Sequence, residues 1–139
     1  MSTIAEKQAQ LVEEFSFFDE WMDKYNFIIE LGKGLKGLPD EEKVDDLLVQ
    51  GCQSKVWLKA GKEGSNVVFQ ADADAIIAKG IIAMLIDIFS GQPAEEVAAA
   101  ELNFIEEIGL KEHLSPTRAN GLMSMIKQMK YYALAMAAS

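Results

Sequence analysis

Cys52 is the one cysteine among 139 residues and stands in the run Gln50-Gly51-Cys52-Gln53-Ser54. A thiolate is a strong nucleophile, so a reactive cysteine here points to chemistry at the thiol. Gly51 lets the backbone bend sharply before it, and Gln50, Gln53 and Ser54 surround it with hydrogen-bonding groups. A lone cysteine is otherwise a small buried hydrophobe. Such packing cysteines have aliphatic neighbours, whereas here the apolar residues begin only at Val49 and Val56. That context favours the reactive thiol over the packing residue.

Two other patterns have the form of a chemical motif and yield to simpler readings. Gly32-Lys33-Gly34-Leu35-Lys36-Gly37 satisfies G-x-G-x-x-G, but the dinucleotide fingerprint needs a strand before it and a helix after it. A helical pattern precedes it and a turn, Leu38-Pro39-Asp40, follows. The glycines therefore end a helix. Asp72-Ala73-Asp74 offers two carboxylates, yet both stand just before an apolar helix that starts near Ala75, where they are expected to cap its first amides.

The elements that must position Cys52 follow from periodicity. Ser2 or Thr3 with Glu6 forms a capping pattern for a first helix striped by Ile4, Leu11, Val12 and Phe15. Phe17, Phe18, Trp21, Tyr25, Ile28, Ile29 and Leu31 or Leu35 give a second helix with an apolar face. Asp45 to Gln50, Lys55 to Lys59 and Val67 to Ala71 read as three antiparallel strands, the last two joined by a turn over 61–66. Cys52 then lies at the tip between the first two. Val56 and Leu58 face one way and Trp57 the other, which predicts helices on one side of the sheet and loops on the other. Gly80, inside the apolar helix, predicts a close backbone approach. Short helices are expected from Pro93 or Ala94 to Ala99 and from Leu102 to Ile108. A last helix opens at Ser115-Pro116 and is striped by Leu122, Met125, Ile126, Met129 and Leu134.

The totals bound the function. Thirteen Lys and Arg against 22 Asp and Glu leave a net charge of −9 and a pI near 4.6, which repels a phosphate backbone and argues against nucleic acid. The most apolar run, Ile76 to Phe89, reaches roughly 21 Å as a helix against a hydrocarbon core of about 30 Å. It also holds Lys79 and Asp87, so it is a core helix and no membrane span is expected. Residues 1–139 suit a single domain. One cysteine cannot make an internal disulfide and no signal-peptide pattern opens the sequence, so the cytoplasm is the expected compartment.

The stretch from Val49 to Trp57 resembles the SufE family, sulfur-acceptor proteins of iron–sulfur cluster assembly that work with cysteine desulfurases. The likeness extends to Trp21-Met22-Asp23-Lys24-Tyr25 with Ile29-Glu30-Leu31-Gly32, to Asp72-Ala73-Asp74-Ala75 with Ala78-Lys79-Gly80, and to Gly109-Leu110 with the run from His113 to Leu122. The resemblance implies an α+β fold, a three-stranded antiparallel sheet packed with about five to six helices, similar to the IscU-like cluster scaffolds. It implies that Cys52 carries a persulfide taken from a SufS-like, PLP-dependent desulfurase. The chain would stimulate that enzyme and pass the sulfur to a SufBCD-like scaffold, without independent turnover of its own and as a monomer or homodimer.

No cofactor or metal is expected on this chain, since one cysteine and one histidine are too few to ligate a cluster or a closed zinc site. The resemblance suggests that Arg118 lies near the cysteine loop, where it either favours the thiolate or an acidic partner surface, or is an exposed helix-start residue. His113 is either a general base or structural. Gln50, Gln53 and Ser54 either hold the loop or hydrogen-bond the persulfide, and Asp45, Asp46 and Lys55 are candidates for partner contact. The alternative is an allosteric activator of a desulfurase with Cys52 buried at the contact. A peroxide-responsive thiol enzyme lacks its resolving cysteine. Because exposed persulfides oxidise readily, Cys52 is expected to be sheltered.

Overall fold

The capping pattern forms on Thr3. Its Oγ1 accepts from the Glu6 amide at 3.1 Å and its amide donates to Glu6 Oε1 at 3.0 Å, starting helix α1, Ile4–Phe15. The computed structural model describes residues 2–52 and 54–138. Helix α2 spans Trp21–Lys33 and stops at Gly34, as the glycine run predicts. The hairpin strands β1, Val56–Glu63, and β2, Asn66–Ala73, lead into helix α3, Ile76–Phe89. Strand β3, Gln92–Pro93, then precedes helices α4, Ala94–Ala99, α5, Phe104–Glu107, and α6, Leu110–His113. Helix α7, Pro116–Ala137, opens as expected, with Ser115 Oγ accepting from the Arg118 amide.

The sheet has three antiparallel strands in the order β1-β2-β3, but not the expected three. Asp45 to Gln50 is not a strand. Asp45–Leu47 is a 3-10 turn closed by the amides of Leu47 and Leu48, because adjacent carboxylates favour turns and pair poorly in a ladder. Only Leu48 bridges to Trp57. The third strand is instead Gln92–Pro93, paired with Asn66 and Val67. It is two residues long, too short to announce itself by alternation. The hairpin is also tighter than expected, since Glu63 pairs with Asn66 and the turn contracts to Gly64-Ser65.

Val56 and Leu58 of β1 share one face with Val67, Phe69, Ala71 and Ala73 of β2, all buried, and α3 and α7 pack on that face. On the opposite face Trp57 sits across from Asp72, and the segment 37–43 closes over them as the loop side expected from the pattern. Asp72 does not cap α3. It is 5% exposed and accepts from the amides of Leu38 at 3.2 Å and Ala73 at 2.8 Å, with Lys43 Nζ at 3.3 Å and Lys79 Nζ at 3.6 Å. Burial alone would raise its carboxyl; the two amides and Lys43 outweigh that and leave it lowered. Asp74 does not cap either, for α3 begins after Ala75 without a side-chain cap. Asp72 instead answers the Leu38 amide and two lysines, and Asp74 the Lys55 amide, groups that other segments bring to them.

Gly80 stands where α3 meets α2. A Cβ there would lie 2.1 Å from the Ile28 carbonyl oxygen, and one on Gly32 would lie 2.6 Å from the Gly80 nitrogen. Two apolar positions depart from their stripes. Phe17 falls in the α1–α2 turn and is 77% exposed, and Leu134 on α7 is 58% exposed. No helix among the described residues is long and apolar enough to cross a membrane.

Gly80→Ala is expected to cost about 3 kcal/mol, the upper part of the overpacking range, because its new methyl meets backbone rather than a movable side chain. Gly61→Ala, with nothing within 4 Å of the added methyl, is expected to shift the urea midpoint little. Asp72→Asn removes a depressed carboxylate whose stabilisation is present above its unfolded value of about 3.9 and lost as pH falls through the folded value. Urea unfolding should show a deficit of about 1–3 kcal/mol at pH 7 that narrows toward pH 3; a constant deficit would place the effect in packing instead.

Candidate functional site

Cys52 lies on the loop that joins the Leu48-Val49 segment to β1, and three contacts fix that loop. Val49 N–H donates to the Val56 carbonyl at 2.8 Å. Lys55 N–H donates to Asp74 Oδ1 at 3.0 Å and the Asp74 amide returns a bond to the Lys55 carbonyl at 3.1 Å. Gly51 takes a left-handed φ of +87° and sits so close to α7 that a Cβ would lie 2.6 Å from Ser124 Oγ. A side chain at 51 would be both strained and blocked.

This loop lays the thiol on the first turns of α7. Cys52 Sγ is 3.6 Å from the Gly121 carbonyl oxygen, and an added Cβ on Gly121 would touch the sulfur at 3.5 Å. Cys52 is half-buried, beside a cavity of about 50 Å³. Ile77, Ile81 and Ile82 of α3, Leu122 and Met125 of α7, and Val56 of β1 form its apolar wall, and Ser54 and Arg118 supply its polar groups. The space suits one small atom or a water and is far below the several hundred Å³ of a small-molecule site. Burial pushes the Cys52 thiol above its ordinary value, so the sheltered form is the neutral one.

The sequence-derived candidates divide. Arg118 and Ser54 line the cavity with Cys52, and Arg118 has no ion pair among the described residues. Gln50 is exposed and borders a neighbouring groove together with Gly51. Gln53 lies outside the described residues. His113 is not among the residues that line the cavity; its ring stacks on Trp21 with centroids 4.3 Å apart, and Nδ1 is 2.9 Å from the Gly109 carbonyl oxygen. It is exposed and joins α6 to α2. Asp45 and Asp46 are exposed in their turn, and Lys55 is exposed at the base of the loop.

Sequence reasoning missed the part played by Gly121, Ser124 and Asp74. Gly121 carried a usable signal, since a glycine inside a helix costs about 1 kcal/mol relative to alanine and, like Gly80, implies a close neighbour. Among the described residues no group of three or more His, Cys, Asp or Glu is placed to hold a metal ion.

The fold and site are those of a small α+β domain that rests a single half-sheltered thiol on a helix, beside a cavity of about 50 Å³. Comparison with known proteins identifies its family. The family described as SufE, the Fe-S metabolism associated domain, matches residues 9–133, and the chain belongs to it. An uncharacterized SufE-like protein of Rhizobium meliloti (strain 1021) is 42% identical over 87% of this chain and 90% of its own length. The SufE-like protein 1, chloroplastic/mitochondrial, of Arabidopsis thaliana is 37% identical over 92% of this chain and 35% of that longer protein. A solution structure of a hypothetical protein from Thermus thermophilus covers 96% of this chain and 97% of that one with a TM-score of 0.78, at 21% identity, a likeness of fold alone.

Alkylation of Cys52 by iodoacetamide in the free protein at pH 7.5 is expected to run several-fold slower than that of free cysteine. It should still climb with pH where an exposed thiol, titrating near about 8.5, levels off. Stopped-flow labelling across pH 6–10 measures this, and a profile matching free cysteine would remove the shelter.

Proposed function

We propose that this SufE-family protein is a sulfur acceptor and carrier, and that Cys52 is the residue that bears the sulfur. The observation that supports it most is the placement of the one thiol: on a pinned loop, against Gly121, beside a cavity that fits a single added atom. The donor is a cysteine desulfurase, whose PLP chemistry leaves a persulfide on the enzyme. The Cys52 thiolate attacks the outer sulfur of that persulfide. A bond forms between Cys52 Sγ and the transferred sulfur as the donor's S–S bond breaks, and the donor's sulfur leaves as its thiolate. The Cys52 proton is released before attack, and the sulfane sulfur keeps its oxidation level, so no external oxidant or reductant enters.

The neutral resting state demands activation. Docking must lift the loop from Gly121 or bring Arg118 closer to the sulfur, since a nearby guanidinium favours the thiolate. Once formed, the persulfide meets no second cysteine in this chain, so it survives until the next protein's thiol attacks it. An iron–sulfur scaffold complex is that acceptor.

Incubating the protein with a desulfurase and cysteine should add one sulfur atom to its intact mass, removable by a reductant and mapped to Cys52. Cys52→Ser should accept none and should lose desulfurase stimulation while keeping its circular dichroism. Full stimulation by Cys52→Ser would instead make the chain an allosteric activator.

A further inference from the structure

Helix α7 is charged unlike the rest of the chain. The protein holds 22 Asp and Glu in 139 residues, yet the 22 residues of α7 include none, against Arg118, Lys127 and Lys130. The same helix carries three of the molecule's exposed large apolar side chains, Met123 at 44%, Tyr131 at 57% and Leu134 at 58%. These share a groove of about 360 Å³ with Lys127 and Lys130. Both cations are held in place, Lys127 Nζ 5.9 Å from the Tyr131 ring centroid and Lys130 Nζ 2.6 Å from the Ala100 carbonyl oxygen. A second groove, of about 370 Å³, starts from the same Lys127 and Tyr131 and runs past Ser124 to Gln50 and Gly51 of the thiol loop. A continuous basic and apolar surface therefore leads from the end of α7 to the residue before Cys52.

We propose that this face of α7 docks the cysteine desulfurase through an acidic, amphipathic helix of that enzyme; the inference rests on the sulfur-acceptor reading and names the surface its donor uses. Charge selects the occupant. A second copy of this chain joined across a two-fold axis would set Lys127 and Lys130 against themselves, whereas an acidic helix meets them with opposite charge and covers Met123, Tyr131 and Leu134 with its apolar stripe. The thiol selects the donor over the later acceptor. The form with Cys52 resting on Gly121 is the sulfur-free one that the donor meets, and a partner gripping α7 beside Gly51 is placed to free the loop.

The test measures the affinity of the whole protein for each cysteine desulfurase encoded in the same genome, by biolayer interferometry from 50 to 500 mM salt, with sulfur loading followed by intact mass. The double variant Lys127→Glu/Leu134→Asp changes side chains of the groove and leaves the buried core intact. It is expected to raise Kd at least tenfold, chiefly through slower association, and to flatten the salt dependence. Phe17→Ser, which removes an exposed apolar side chain at the α1–α2 junction, should bind as wild type does. Equal Kd for wild type and the double variant overturns the docking face and leaves the acceptor reading standing. Binding that the double variant weakens, with no sulfur on wild-type Cys52, upholds the face and overturns the acceptor reading. No desulfurase binding by wild type overturns both.

Discussion

The crossing of α2 and α3 is the constraint on which the rest of the molecule depends. Gly32 and Gly80 carry no side chain, so the two helix backbones touch, and α3 is held at a fixed depth between α2 and the sheet. That depth sets where Ile77, Ile81 and Ile82 stand, and these residues form the apolar wall beside the thiol. A methyl at the crossing would push α3 toward the sheet and into the same cavity. Stability and the site are thus coupled through one interhelical distance, and well-packed interiors transmit such displacements rather than absorb them.

Under the proposed sulfur-carrier reading the thiol faces two opposed requirements. A nucleophilic sulfur must ionise and be reached, while a persulfide must be kept from solvent oxidants. The resting form suits the second, with Cys52 half-buried on Gly121 and its neutral state favoured by burial. It leaves the first within reach. The loop is held at its base by the Lys55 and Asp74 pair and by the bond from Val49 to Val56. A surface loop opens at smaller cost than the core beneath it. Arg118 at the cavity rim then offers a positive charge near a thiolate that the closed form disfavours.

Charge is distributed to match. The chain as a whole carries a net charge of −9, whereas α7, which backs the thiol loop, carries only cations among its charged residues. The Asp72 cluster lies apart from this, on the loop face of the sheet, where a buried carboxylate gathers two amides and two lysines to fasten the segment 37–43 over Trp57. Its task is to hold the far side closed so that β1 presents a firm edge to the Leu48-Val49 segment that leads into Cys52.

Much of this was legible in the sequence. The capping box at Thr3 and Glu6, the glycine stop after α2, the apolar helix α3, the close approach at Gly80 and the Ser115-Pro116 helix start are local patterns whose physics acts within a few residues. The lone cysteine in a polar, glycine-led loop was legible for the same reason. What the sequence left undecided depends on residues distant along the chain. Asp72 and Asp74 read as helix caps because the amides of Leu38 and Lys55 that bind them come from other segments. The expected strand at Asp45 gave way to a turn, and Gln92–Pro93 became a strand because β2 offered it an edge. Above all, the shelter of Cys52 comes from Gly121, 69 residues further on. The sequence by itself determined which residue carries the one thiol and where the main helices lie along the chain; only the tertiary structure decided which of them surround that sulfur, how deeply it lies and what touches it, because burial is set by long-range packing and not by neighbours in the chain.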